Sequence, residues 1–151
     1  MKGGSSRARR PMTTRPNATT VLLVEDNEMN RDMLTRRLVR RGYVVVCAHD
    51  GPEAVRMARD ERPQLILMDI GLPVMDGWQV IRHLKSSPET ATIPIIALTA
   101  HALAEDHARA VAEGCCDFIT KPIEFERLLE AITRHGGPQA TRTGPPTVQE
   151  P

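Results

Sequence analysis

Aromatic side chains are nearly missing from this chain, which has one Trp, one Tyr and two Phe among 151 residues. A surface that reads nucleic acid by stacking bases on rings is therefore not expected. No apolar run reaches the roughly eighteen residues of a membrane-spanning helix, and the basic opening lacks the apolar segment of a signal peptide. Cytoplasm is the expected compartment. Cysteine is scarce too: Cys47, Cys115 and Cys116 are odd in number and two are adjacent. That excludes a disulfide framework and a paired CxxC metal site, and leaves reduced, mostly buried thiols as the expectation. His49, His83, His101, His107 and His135 show no HExxH spacing and are expected at the surface.

With 40% apolar residues the chain suits one compact domain with tails. Residues 1–18 hold Lys2, Arg7, Arg9, Arg10 and Arg15 and no acid, so a disordered basic leader is expected. Residues 136–151, rich in Gly and Pro, read as a disordered tail, and 19–135 as the folded part. Removing the five leader cations and the cancelling pair Arg142 and Glu150 from the whole-chain +1 leaves −4 on residues 20–135.

Within that part, β-rich runs alternate with helical patterns. Thr20–Val24, Tyr43–Ala48, Leu65–Met68, Ile93–Leu98 and Cys115–Ile119 read as strands. The first helix is capped by Asn27, carries Met29, Met33, Leu34 and Leu38 as its apolar face, and ends at Gly42. Others follow from Pro52 to about Arg62, from Trp78 to Lys85 and from about Leu103 to Glu113. The last carries Phe125, Leu128, Leu129 and Ile132 on its apolar stripe. Strands buried on both faces and joined by helices imply right-handed crossovers. The expected fold is α/β: a doubly wound, five-stranded parallel sheet in flavodoxin-like order 2-1-3-4-5, with helices on both faces.

In such a sheet the carboxyl ends of the strands share one crevice. Glu25 and Asp26 follow the first strand, Asp69 the third, Thr99 the fourth and Lys121 the fifth. Unit charges 4 Å apart interact by about 4 kcal/mol at an effective dielectric near 20, so three carboxylates there need an offset. Oxygen-only ligands without clustered His or Cys suit Mg2+, with Mn2+ as a substitute. Lys121 supplies a point charge and Thr99 a hydroxyl for a phosphoryl group. Asp69, ionised at neutral pH, is the candidate nucleophile toward phosphorus.

Four pieces carry a family resemblance: Val24-Glu25-Asp26-Asn27, Met68-Asp69-Ile70-Gly71-Leu72-Pro73 with Met75-Asp76-Gly77, Leu98-Thr99-Ala100, and Thr120-Lys121-Pro122. In this order the chain resembles the receiver domain of two-component response regulators, of the single-domain type. The resemblance implies a phosphorylation-controlled signalling switch and not a turnover enzyme, though one that assists its own phosphorylation and dephosphorylation. Asp69 would accept a phosphoryl group from a histidine kinase or histidine phosphotransfer protein. Glu25, Asp26, Asp69 and the Gly71 carbonyl would hold the metal, and Lys121 would pair with the phosphate through a cis bond to Pro122. Thr99 and Phe118 would form the switch, with Phe118 buried at rest, and Gly71 and His101 would tune phosphoryl lifetime. Gly71 has no side chain to orient an attacking water, so slow autodephosphorylation is expected. The first helix is a docking face for the phosphodonor in this family, which gives its arginines a second reading beside a solvated surface.

No helix-turn-helix fits the tail, so the output would be an unknown protein partner met through the helix from Leu103, the fifth strand and the last helix. Other readings are a phosphorelay intermediate, or a receiver segment of a hybrid kinase. A Mg-dependent phosphatase of the haloacid dehalogenase type would place a second Asp two residues after the first, where this chain has Gly71. A flavodoxin would need a hydroxyl- and glycine-rich first loop in place of Glu25-Asp26-Asn27.

Overall fold

The computed structural model describes residues 18–72, 75–100 and 104–136. Nearly all of the expected leader and tail, Pro73, Val74, His101 and the anticipated helix start at Leu103 lie outside them. The elements are β1 (Thr20–Val24), α1 (Glu28–Arg40), β2 (Val44–Ala48), α2 (Gly51–Glu61), β3 (Leu65–Asp69), α3 (Gly77–Lys85), β4 (Ile95–Thr99), α4 (Ala104–Ala112), β5 (Asp117–Thr120) and α5 (Phe125–Gly136). All neighbouring strands pair in parallel, in the order β2-β1-β3-β4-β5. The doubly wound expectation holds.

Strand alternation builds two cores from one sheet. Leu22, Val24, Ile66 and Met68 face one side and pack with residues of α2 and α3, including Ala54, Ala58, Trp78, Ile81 and Leu84. Val21, Leu23, Leu65, Leu67, Ile96 and Leu98 face the other, against Leu34 and Leu38 of α1 and Phe125, Leu128 and Ile132 of α5. Burying each Leu or Ile stabilises the fold by about 2 kcal/mol. β1, β3 and β4 are buried along their whole length, so their apolar runs have no polar alternation.

Helix starts follow local chemistry. Asn27 accepts from the Asn30 amide at 2.9 Å, and Asp50 from that of Glu53 at 3.0 Å. Asp76 and Gln79 form a reciprocal capping box. Gly42 takes φ +97°, the left-handed conformation that ends α1.

The structure corrects several expectations. Met29 is 76% and Met33 41% exposed, so only Leu34 and Leu38 of the expected apolar face of α1 are buried. β5 begins at Asp117, because Cys115 and Cys116 donate their amides to Ala110 and Ile95 while the chain leaves the turn at Gly114. β2 starts at Val44, α2 at Gly51, and α5 takes in Gly136, whose backbone lies against Leu65. The three thiols are half-buried, not fully buried. Burial pushes Cys115 up to about 12 and Cys116 up to about 11, so both are protonated at neutral pH.

Asp117 pins α5 to β5. Its carboxylate accepts from Arg127 at 3.1 Å and from the Phe118 amide at 2.8 Å, with Arg134 at 3.5 Å and His135 at 3.4 Å. Burial works to raise its pKa, but these hydrogen bonds and the Arg127 charge reverse that and hold it below the ordinary value. Burial drives His135 the other way, below the usual imidazole range despite the pull of Asp117, so it meets the carboxylate as a neutral imidazole at pH 7.

Two outcomes are expected. Leu67→Ala will cost about 3 kcal/mol in urea unfolding, while Met29→Ala will cost less than about 0.5 kcal/mol. Asp117→Asn will cost about 1 kcal/mol near neutral pH, the contribution being discounted for the exposure of Arg127. A depressed carboxylate stabilises above its unfolded pKa and loses that contribution as pH falls through the folded one, so unfolding curves of wild type and variant converge below about pH 4.

Candidate functional site

The parallel register brings four strand ends level. Val24 pairs with Met68 and Asp69 with Leu98, and Thr99 lies opposite Thr120. The residue after each end therefore opens into one crevice: Glu25 and Asp26 beyond β1, Asp69 closing β3, Thr99 closing β4 and Lys121 beyond β5. The Lys121 amide donates to the Thr99 carbonyl at 2.7 Å, locking the last two together.

Glu25 is 2% and Asp69 4% exposed, whereas Asp26 is open to solvent. One carboxylate oxygen from each of the three lies within 4.8 Å of the others. The Lys121 ammonium is 3.2 Å from Asp69 Oδ2 and 3.7 Å from Glu25 Oε1. Burial pushes the Glu25 carboxyl above its ordinary pKa and the charge of Asp69 pushes it further, against the weaker pull of the Asn27 amide and of Lys121. One ammonium does not balance three carboxylates. The donor set fits a hard divalent cation: oxygen only, two buried groups and one exposed, with no thiolate or imidazole among the three.

The expected site residues are thus brought together, apart from His101, which lies outside the described residues. Thr99 is buried at 3% exposure. Gly71 is exposed, and its amide donates to Asp69 Oδ1 at 3.0 Å, fixing the carboxylate. The Lys121–Pro122 peptide is cis, as anticipated. Phe118 is half-buried, its ring tilted against His107 with centroids 5.3 Å apart, so the buried resting position is only partly realised.

Sequence reasoning missed two features. Arg31, taken as one more surface arginine, donates to the Glu25 carbonyl at 2.9 Å and to the Asp26 carbonyl at 3.4 Å, so α1 reaches back and clamps the acidic turn. An arginine five and six residues after an acid pair was the available signal. The second is a cleft of about 270 Å³ running from Glu25 and Lys121 between Met33, Leu34 and Arg37 of α1 and Pro122, Ile123 and Phe125. Arg37 lies over the Phe125 ring at 4.3 Å. It joins helices distant in sequence, which helical periodicity does not reveal.

Fold and crevice together define a class, the receiver module, whose doubly wound sheet presents an acidic site answered by a lysine. The chain belongs to the response regulator receiver domain family, whose model matches residues 21–133. The polar-differentiation response regulator DivK of Brucella anthropi is 41% identical over 118 residues, covering 78% of this chain and 96% of DivK. Among solved structures, chemotaxis protein CheY4 of Vibrio cholerae superposes with a TM-score of 0.74 at 30% identity, covering 78% of this chain and 98% of its own. The receiver domain of a Pseudomonas aeruginosa sensor histidine kinase, crystallised with magnesium coordinated in its active-site cleft, gives a TM-score of 0.73 at 38% identity, with 80% and 98% covered.

Asp26→Asn leaves both Lys121 pairings in place while removing one negative charge. Metal-free stability should rise by about 0.5 kcal/mol in thermal unfolding, and the upward shift that Mg2+ gives wild type should shrink markedly.

Proposed function

We propose that this protein is a single-domain response regulator that accepts a phosphoryl group on Asp69 from a histidine kinase or histidine phosphotransfer protein. The observation that carries the reading is the juxtaposition of Asp69 with Lys121 at 3.2 Å inside a three-carboxylate crevice. An Asp69 oxygen attacks the phosphorus of the donor's phosphoimidazole. The new O–P bond forms as the N–P bond breaks, and the leaving nitrogen keeps the electron pair and is protonated from solvent. Lys121 follows the charge on the phosphoryl oxygens, the Gly71 amide holds the attacking carboxylate, and Thr99 turns its hydroxyl to the new phosphate. Glu25, Asp26, Asp69 and the Gly71 carbonyl would hold Mg2+, which when bound adds positive charge at the phosphoryl oxygens.

Thr99 and Phe118 form the switch. As Thr99 moves, Phe118 turns inward and changes the surface of α4, β5 and α5, where an open hollow of about 520 Å³ lies between Phe118, Lys121, Glu124 and Arg127. A downstream protein partner reads that surface. Gly71, without a side chain to aim water, favours a long-lived phosphoryl group. Among the described residues no helix is long and apolar enough to cross a membrane, and the proposed compartment is the cytoplasm.

The test is incubation with Mg2+ and phosphoramidate followed by intact-mass measurement. One phosphoryl increment is expected on wild type, decaying over minutes or longer, and none on Asp69→Ala. An unmodified wild type would overturn the reading. Transfer of the group onward to a second histidine protein, assayed in both directions, would instead mark a relay intermediate.

A further inference from the structure

α4 has little to hold it in place. Of its nine residues only Ala110 is buried, and Val111 stands 64% exposed. One buried methyl group anchors a helix weakly, so its position depends on side-chain contacts at its edges. Besides β5, α3 supplies a set of these contacts. The Arg109 guanidinium lies over the Trp78 ring, 4.9 Å from its centroid. Glu113, just past the end of α4, receives Arg82 Nε at 3.2 Å and 3.3 Å on its two oxygens, and Arg109 Nε lies 3.7 Å away. Trp78 and Arg82, four residues apart, present one face of α3, and Arg109 and Glu113, also four apart, answer it. At the inner edge His107 rests on Phe118.

The α3 side of this contact is tied rigidly to the phosphoryl site. The Gly77 amide donates to the Ile70 carbonyl at 2.9 Å. A Cβ at Gly77 would stand 2.6 Å from Ile70 Cα and 2.7 Å from the Asp69 carbonyl oxygen, so the start of α3 touches the backbone of the phosphoacceptor with no slack. Trp78 is the next residue.

We propose that Trp78, Arg82, Arg109 and Glu113 form a cation–π and ionic latch that holds α4 against α3 in the unphosphorylated protein, and that phosphorylation of Asp69 releases it. These are positioning residues, since none touches the phosphate. The proposal rests on the functional reading above and adds its regulation: the latch sets how often the unmodified protein visits the activated arrangement. By linkage, whatever weakens the latch favours phosphorylation, and phosphorylation in turn weakens the latch.

Trp78 is the chain's single tryptophan, so tryptophan fluorescence reports its surroundings, the Arg109 contact among them, with no other tryptophan contributing. Wild type, Arg109→Ala, Arg109→Lys and Glu113→Gln are compared, with and without Mg2+ and phosphoramidate, by acrylamide quenching, hydrogen exchange of α4 and phosphorylation rate read by intact mass. Phosphorylated wild type should show Trp78 more accessible and α4 amides exchanging faster. Unphosphorylated Arg109→Ala and Glu113→Gln should already show both changes and take up the phosphoryl group about fivefold faster, with Arg109→Lys close to wild type. Mere loosening of the fold would leave that rate unchanged or lower it, and either result would overturn the latch. Unchanged quenching in mass-verified phosphorylated wild type would do the same. Lack of any phosphoryl increment would instead sink the functional reading, and the release step with it.

Discussion

Two buried carboxylates, Glu25 and Asp69, face each other across a crevice with a third beside them, and the sheet holds them there against their mutual repulsion. Lys121 answers from the end of β5, beyond β4, within 4 Å of both buried acids. The arrangement is affordable because the rest of the domain is rigid. Four parallel ladders fix the strand ends to the same level, and two apolar layers of Leu, Ile and Val fix the ladders. Burial first, and then the charge of Asp69, raise the proton affinity of Glu25.

Rigidity also explains why small groups matter around the site. Arg31 clamps the carbonyls of the acidic turn from α1, and the Gly71 amide orients Asp69 from the loop beyond it. Neither group carries the reacting charge. Each removes freedom that the acids would use to spread apart. The wall facing them belongs to α1, whose Arg37 lies on Phe125, and Arg41 just past its end pairs with Glu126 at 3.2 Å.

Most of this was legible in the sequence, for a physical reason. Strands buried on both faces write themselves as unbroken apolar runs, and the polar or charged residue at the end of a run marks the crevice without any knowledge of distances. Glu25, Asp69, Thr99 and Lys121 all fall at such ends. α1 was harder to read. Leu34 and Leu38, four residues apart, align on the inward strip, while Met29 and Met33 share the same spacing but lie about 140° round the helix, and type alone does not separate the two pairs. β5 was misplaced at its start because Cys115 and Cys116 are apolar enough to extend a strand pattern, yet the Cys115 amide closes the turn onto Ala110 and only that of Cys116 reaches Ile95 of β4. Contacts between distant segments, such as Arg109 on Trp78, leave no periodic trace.

Those two cysteines have one more consequence. Cys115 packs with the core on one side of the sheet and Cys116 with the core on the other, so neighbouring sulfurs point apart through the layer. Joining them would require turning one side chain through the sheet, against the amide bonds that hold Cys115 to Ala110 and Cys116 to Ile95. An oxidant thus meets two half-buried thiols, both held protonated by burial and neither placed to pair with the other.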